Sequence, residues 1–163
     1  MDNHKANNPE LKDLSMDSTP EEIKKVLLLR RQENLTRSEP HIKWLEAEWR
    51  RYKYKILEMD PEGYRNIRNL LKDKSAYPVI AFYEIIDRSL TCPLEPGNQI
   101  NAASHIYGYF KTKATEGEKQ SYLTYLGQLT ADNLDVRTIK GFLWDLTLKY
   151  QEIYLYDSLY FIF

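Results

Sequence analysis

The sequence contains little cysteine, glycine or histidine. Its 163 residues include one cysteine, six glycines and three histidines. The single Cys92 cannot form a disulfide within the chain, and the opening residues Met1 to Lys5 lack the apolar stretch of a signal peptide. No apolar run approaches the roughly 20 residues that a bilayer crossing needs. These absences predict a cytoplasmic protein that does not associate with a membrane.

The nearly neutral net charge argues against nonspecific binding of nucleic acid by the protein surface as a whole. The formal net charge is -1, so the chain lacks the overall Lys and Arg excess with which many proteins bind nucleic acid nonspecifically. Any such binding requires a local basic patch. Hydrophobic residues make up 42% of the chain and charged residues 29%, which is typical of a globular protein. A chain of this length buries roughly 70% of its unfolded surface as one domain.

The common catalytic and cofactor motifs are absent from the sequence. It contains no GxGxxG, GxxxxGK[ST], HExxH, CxxC or GxSxG pattern. The histidines are His4, His41 and His105, and a metal site would need carboxylates or Cys92 to join them. We therefore predict neither a metal site nor a cofactor.

Helix signals recur along the whole chain, while no stretch alternates apolar and polar residues and no repeat of 20–50 residues appears. The sequence predicts an all-α, compact bundle of about seven helices in a single domain at 19–163, preceded by a mobile N-terminal arm at 1–18. Six of the helices have start signals, at Thr19-Pro20, Ser38-Glu39-Pro40, Asp60-Pro61-Glu62, Pro78, Thr115 and Asp135. The third helix is expected to end near Ser75, and the prolines of 92–97 predict a loop there.

The remaining helix, over 100–111, has two different faces. Its apolar face comprises Ile100, Ala103, Ile106, Tyr107 and Phe110, and its other face comprises Asn101, His105, Gly108 and Thr112. His105 is the candidate catalytic residue, because imidazole titrates near neutral pH and Asn101 lies one turn before it to orient the ring. The alternative is that His105 is solvated or is a hydrogen-bonded packing residue.

Lys53 is unusual because it lies beside the apolar stripe of the second helix. A lysine there extends to solvent, pairs with an acid or faces a pocket for an anion. Basic and aromatic residues surround it, and together they predict a basic aromatic surface for bases and phosphates. The same residues are also consistent with a solvated charged face. They are Arg50, Arg51, Lys55, Arg65, Arg68, Lys72, Trp44, Trp49 and Tyr54.

The end of the chain, Tyr154 to Phe163, is too apolar to remain in water. It is expected either to dock on the helices or to cover a partner, for example in a homodimer.

Several of these segments together resemble the YbgA-like bacterial domain family, over roughly Pro40 to Tyr160. The most specific element is an Asn, three residues, a His, two residues and Gly-Tyr-Phe-Lys, which begins at Asn101. The others are Trp49-Arg50-Arg51-Tyr52-Lys53-Tyr54-Lys55-Ile56-Leu57, Tyr64, Glu118-Lys119 and Tyr154-Leu155.

The resemblance implies a domain of unknown function. In some proteins this domain is fused to a cysteine-rich, iron-sulfur desulfidase domain that acts on thiolated pyrimidine bases. By analogy, it implies a role beside nucleobase or nucleic-acid chemistry. The chain has Ser104 where the family often has Gln, and it ends in Tyr160-Phe161-Ile162-Phe163 where the family has a proline-containing end.

We predict a non-catalytic accessory domain that binds a nucleobase, a nucleotide or an RNA segment. One alternative is an enzyme in which His105 is the acid or base and Lys53 holds an anion, so that both side chains face a common space. The other alternative is a protein-interaction module that uses the aromatic tail. The predicted binding residues are Trp49, Arg50, Lys53, Asn101, His105, Gly108, Tyr109 and Lys111.

Overall fold

The architecture comes from a computed structural model that describes residues 14–131 and 135–163. These residues form seven α-helices and two short 3-10 turns without any strand, which confirms the all-α prediction. Residues 1–13 of the predicted mobile arm, His4 included, lie outside the described ranges. The elements are α1 (Pro20–Leu35), α2 (Ile42–Met59), α3 (Pro61–Leu70), α4 (Val79–Leu90), α5 (Pro96–Tyr107), α6 (Glu116–Thr130), α7 (Val136–Lys149), η1 (Ile153–Leu155) and η2 (Leu159–Phe161).

Helix α2 lies at the centre of the fold and contacts α3, α4, α5 and η2. Its apolar residues recur at steps of three and four, so they form one stripe along the helix. Leu45, Tyr52 and Ile56 on this stripe are almost completely buried. Of the charged residues on α2, Arg50 and Lys53 are partly exposed, whereas Glu48, Lys55 and Glu58 are buried.

The predicted helix starts are confirmed at three helices. Capping boxes join Thr19 to Glu22 and Thr115 to Glu118, and Asp135 accepts a hydrogen bond from an amide in the first turn of α7. In each case the side chain satisfies an amide that has no partner inside the helix.

The predicted start of α2 is wrong, whereas α3 begins at the predicted position but lacks the side-chain cap. Helix α2 begins at Ile42 rather than at Ser38-Glu39-Pro40, because the His41 Nδ1 atom accepts a hydrogen bond from the Lys43 amide and caps the helix there. Asp60 precedes α3 without capping it through its side chain. Its carboxylate instead accepts a hydrogen bond of 2.8 Å from the Ser89 hydroxyl and so links α3 to α4.

Three helix boundaries also differ from the prediction. Helix α3 ends at Leu70, before the expected Ser75, and α5 ends at Tyr107, before Lys111. Helix α5 begins at Pro96, inside the predicted loop of 92–97. A proline is compatible with the first turn of a helix, because the amide hydrogen that it lacks has no partner at that position.

Gly63 allows α3 to approach α4 closely. A Cβ atom at this position would lie 2.1 Å from the Ser89 Oγ atom and 2.5 Å from the Asp60 Oδ2 atom. The hydrogen bond between Ser89 and Asp60 therefore needs a glycine beside it. This contact fixes α3, which carries part of the candidate site.

The apolar tail docks on the same chain. Leu155, Leu159 and Tyr160 are fully buried, and η2 contacts both α2 and α7. The expectation that the tail belongs to the folded core is confirmed. Its apolar composition is thus explained without a second copy of the chain, and a homodimer contact through the tail stays a prediction.

A buried ion cluster lies between α2, α7 and the tail. Lys55 and Lys140 both contact the Glu58 carboxylate, at 3.3 and 2.9 Å, and Lys55 also donates to the Phe163 carbonyl at 2.5 Å. Glu58 is 1% exposed. Two ammonium groups share one carboxylate, and burial lowers the pKa of Lys140 to about 8. Lys55 therefore faces the interior, so its predicted place on a basic surface is wrong.

This cluster predicts an unusual dependence of stability on pH. Between about pH 8 and the ordinary lysine pKa, folded Lys140 has lost its proton while the unfolded chain still binds one, so the free energy of unfolding rises with pH. We expect a gain of about 2–3 kcal/mol between pH 7 and 10 from this group. Urea unfolding of the wild type and Lys140→Met at several pH values should show this gain in the wild type alone. Parallel pH curves for the two proteins would contradict it.

Candidate functional site

A basic aromatic pocket of about 620 Å³ lies where α2, α3 and η1 meet. Trp49 and Tyr154 supply its aromatic rings, and the remaining lining is mostly cationic. Helix α2 contributes four lining residues, α3 contributes Arg68, the turn after α3 contributes three more, and η1 contributes Tyr154. The lining residues are Glu46, Ala47, Trp49, Arg50, Arg68, Leu71, Lys72, Lys74 and Tyr154.

The lining of this pocket carries a positive charge. Four of its residues are arginine or lysine, and Glu46 is the one acid among the described residues that line it. That carboxylate is neutralised by Lys74 at 2.9 Å. Arg68 and Lys72 are exposed, so their charged groups are available to a ligand. The pocket therefore attracts anions.

The aromatic rings are held in place by their neighbours. Trp49 is 9% exposed and packs against Tyr64, with 5.4 Å between ring centroids. The Arg68 guanidinium lies 5.7 Å from the centroid of the Tyr64 ring, which is within the range of a cation–π interaction. This contact places the Arg68 charge beside the aromatic group. Tyr154 is half-buried and keeps part of its ring open to the pocket.

Lys53 lies beside the pocket among tyrosines. Its Nζ atom is 5.3 Å from the Tyr54 centroid and 5.7 Å from the Tyr154 centroid. Burial, followed by the nearby Arg68 charge, lowers the pKa of Lys53. The structure thus places this lysine over aromatic rings, next to another cation, which is an arrangement that favours an incoming anion.

Tyr109 joins the same group through its contacts. Its hydroxyl lies 2.6 Å from the Tyr54 hydroxyl, and its ring stacks on Tyr154 with 6.1 Å between centroids. Burial, followed by the hydrogen bond with Tyr109, raises the pKa of Tyr54. Four predicted binding residues are therefore close together: Trp49 and Arg50 line the pocket, and Lys53 and Tyr109 pack against its Tyr154.

The other predicted binding residues lie elsewhere on the molecule. Asn101, His105, Gly108 and Lys111 are exposed around the end of α5, and none lines the basic aromatic pocket. Their exposure agrees with the solvent-facing side that the helix period predicts. A joint site of His105 and Lys53 stays a prediction.

The predicted basic surface is also narrower than expected. Arg51 contacts the buried Glu48 at 2.7 Å, and Lys55 contacts Glu58. Residues 51, 55 and 58 follow one another at steps of four and three, so they share a stripe that turns away from the pocket. Trp44 packs under the Arg37 guanidinium at 3.8 Å, and Arg65 is exposed outside the pocket lining.

Five lining residues were not predicted to be part of the site: Glu46, Ala47, Leu71, Lys74 and Tyr154. Tyr154 was assigned to the apolar tail, and Lys74 lies in the turn after α3. Tyr154 has a hydroxyl group within an otherwise apolar segment. Because this hydroxyl needs a hydrogen-bond partner or water, it is the sequence signal for a partly exposed position.

Metal-binding clusters and membrane-spanning helices are both absent from the described residues. The described residues contain no group of three or more His, Cys, Asp or Glu side chains that could hold a metal ion. None of the helices in 14–131 and 135–163 combines the length and apolar character needed to cross a membrane.

Comparison with known proteins gives one match. Residues 53–163 match the family described as "Protein of unknown function (DUF1722)". The matched region begins inside α2 and includes Lys53, Arg68, Tyr109 and Tyr154. No curated protein and no solved structure matches the chain.

Proposed function

Since the chain belongs to the DUF1722 family, whose description assigns no activity, we propose its function from its own side chains. The domain binds a nucleobase, a nucleotide or an RNA segment in the basic aromatic pocket and does not catalyse a reaction. The finer YbgA-like identity, with its link to nucleobase chemistry, is part of the same proposal.

One observation carries this proposal: two aromatic rings and four cationic side chains line the same pocket. A base presents a flat π-face, and stacking on an aromatic side chain contributes about 1–3 kcal/mol per base. Arginine and lysine contact phosphate oxygens by charge-assisted hydrogen bonds. Trp49 and Tyr154 can stack on the base, and Arg68 and Lys72 can contact the phosphates that connect it to neighbouring nucleotides.

The composition of the pocket favours binding over catalysis. General acid–base chemistry needs a group that gains or loses a proton beside the reacting atoms. The described lining contains no histidine, cysteine or serine, and its Glu46 carboxylate is occupied by Lys74. A ligand in the pocket meets aromatic rings and cationic side chains, which bind it by stacking and by charge.

We expect a fluorescein-labelled oligouridine to bind the wild type at low salt, measured by fluorescence anisotropy. Tyr154→Ala should weaken binding about tenfold, because one stacking ring is lost. Arg68→Gln should reduce the slope of log affinity against log salt by about 0.7, because one phosphate contact is lost. Arg88→Gln is the matched control, since Arg88 is exposed on α4 and lies outside the pocket lining. It should bind like the wild type.

Circular dichroism of each variant should confirm that the fold is intact. The proposal is wrong if the wild type does not bind at low salt, or if added salt leaves its affinity unchanged. It is also wrong if Arg88→Gln weakens binding as much as Arg68→Gln, because the loss then reflects overall charge rather than this pocket.

A further inference from the structure

A second pocket adjoins the first and is lined by three arginines. It has a volume of about 330 Å³, and we call it the arginine pocket. Arg30 comes from α1, Arg50 and Arg51 come from α2, and Asp157 comes from the tail. The rest of the lining is apolar or aromatic: Leu14, Ile153, Tyr156 and Ile162.

The ion pairs inside the arginine pocket leave an excess of positive charge. Asp157 Oδ2 accepts a hydrogen bond of 2.7 Å from Arg50 and lies 3.3 Å from the Arg51 Nε atom. Arg51 is also paired with Glu48. Among the described residues no carboxylate lies within ion-pair distance of Arg30. Three guanidiniums therefore face two carboxylates.

Hydrogen-bond donors in this pocket also lack acceptors. The Arg50 Nε atom is buried and has no hydrogen-bond partner among the described residues, and the buried Arg51 Nε atom has only the 3.3 Å ion-pair contact with Asp157. Burial and the neighbouring Arg51 charge lower the pKa of Arg30, although it remains a cation at neutral pH. Asp157 Oδ1 is an unpartnered acceptor and repels an anion. Its repulsion is outweighed by the three guanidiniums around it.

Arg50 lines both pockets, and Tyr154 in the first lies next to Ile153 in the second. We infer that the arginine pocket binds the phosphate group of the ligand whose base stacks in the basic aromatic pocket. This inference rests on the proposed function and narrows it to a nucleoside phosphate. A guanidinium suits this task because its planar donors match two phosphate oxygens at once.

Isothermal titration tests the inference with two pairs of probes, uridine with its 5′-monophosphate and adenosine with its 5′-monophosphate. The wild type should bind at least one monophosphate about tenfold more tightly than the matching nucleoside, because the phosphate adds charge-assisted hydrogen bonds. Arg30→Gln alters only the arginine pocket. It should remove most of this advantage and leave nucleoside binding unchanged. Arg88→Gln should retain the advantage.

The outcomes separate the inference from the proposed function. If a nucleoside binds and its monophosphate binds no better, the inference is wrong and the proposed function stands. If Arg30→Gln weakens the binding of nucleoside and monophosphate equally, the arginine pocket does not bind the phosphate group. The inference is then also wrong. If no nucleoside or monophosphate binds the wild type, the inference is wrong, and the oligouridine titration alone decides the proposed function.

Discussion

Removal of residues 154–163 should leave a chain that does not fold stably. Leu155, Leu159, Tyr160 and Phe161 are buried in the core, where they pack on α2 and α7. Burial of one such side chain contributes about 1.5–3 kcal/mol, and a whole domain is stable by only about 5–15 kcal/mol. Loss of the four together therefore removes most of the free energy of unfolding. The thermal midpoint should fall by many degrees, or the protein should be insoluble.

A matched pair of substitutions tests the same point without truncation. Leu159 is fully buried and Ile153 is 70% exposed, although both belong to the same segment. Leu159→Ala should lower the free energy of unfolding by about 2–5 kcal/mol, and Ile153→Ala by less than about 0.5 kcal/mol. If the truncated chain melts and sediments like the full chain, the tail is dispensable and its place in the core is wrong.

Glu58→Gln should destabilise the protein by about 3–5 kcal/mol, the second large effect that we expect. The Glu58 carboxylate is the shared partner of Lys55 and Lys140, and all three side chains are nearly buried. An amide of the same shape cannot compensate two buried ammonium charges. Urea unfolding at neutral pH measures the difference directly.

Two further variants identify the cause of this loss. Lys140→Met in the Glu58→Gln background should recover part of the stability, because one uncompensated charge is removed. Glu84→Gln is the control for the substitution itself, since Glu84 is exposed on α4. It should change stability by less than about 0.5 kcal/mol. A small effect of Glu58→Gln, similar to that of Glu84→Gln, would contradict the role of the cluster.

The helices were predictable because their signals are local. A capping box such as Thr115 to Glu118 acts within four residues, and an apolar stripe such as that of α2 repeats every turn. The start of α2 also depends on a local contact, the hydrogen bond from the Lys43 amide to His41, whereas the side chain of Asp60 before α3 has a partner from farther along the chain. Asp60 does not cap α3 through its side chain, and its carboxylate instead accepts a hydrogen bond from Ser89, 29 residues away.

The candidate site was predictable only where one helix supplies it. Trp49, Arg50 and Lys53 lie on the same edge of α2, so their association follows from the helix period. Tyr154 lies about 100 residues after α2 in the sequence, and the helix period does not predict that η1 packs beside α2 and α3. The misplaced Arg51 and Lys55 show the same limit, since Arg51 contacts Asp157 and Lys55 donates to the Phe163 carbonyl, and both of these residues are distant in sequence.

Photo-crosslinking with an oligonucleotide that contains 4-thiouridine tests most directly whether the basic aromatic pocket binds a base. After irradiation and digestion, mass spectrometry identifies the peptides that carry the nucleotide. We predict crosslinks on the peptides that contain Trp49 and Tyr154, with a reduced yield in Arg68→Gln and an unchanged yield in Arg88→Gln. Crosslinks at His105 itself, or none above the level without irradiation, would contradict the proposed function.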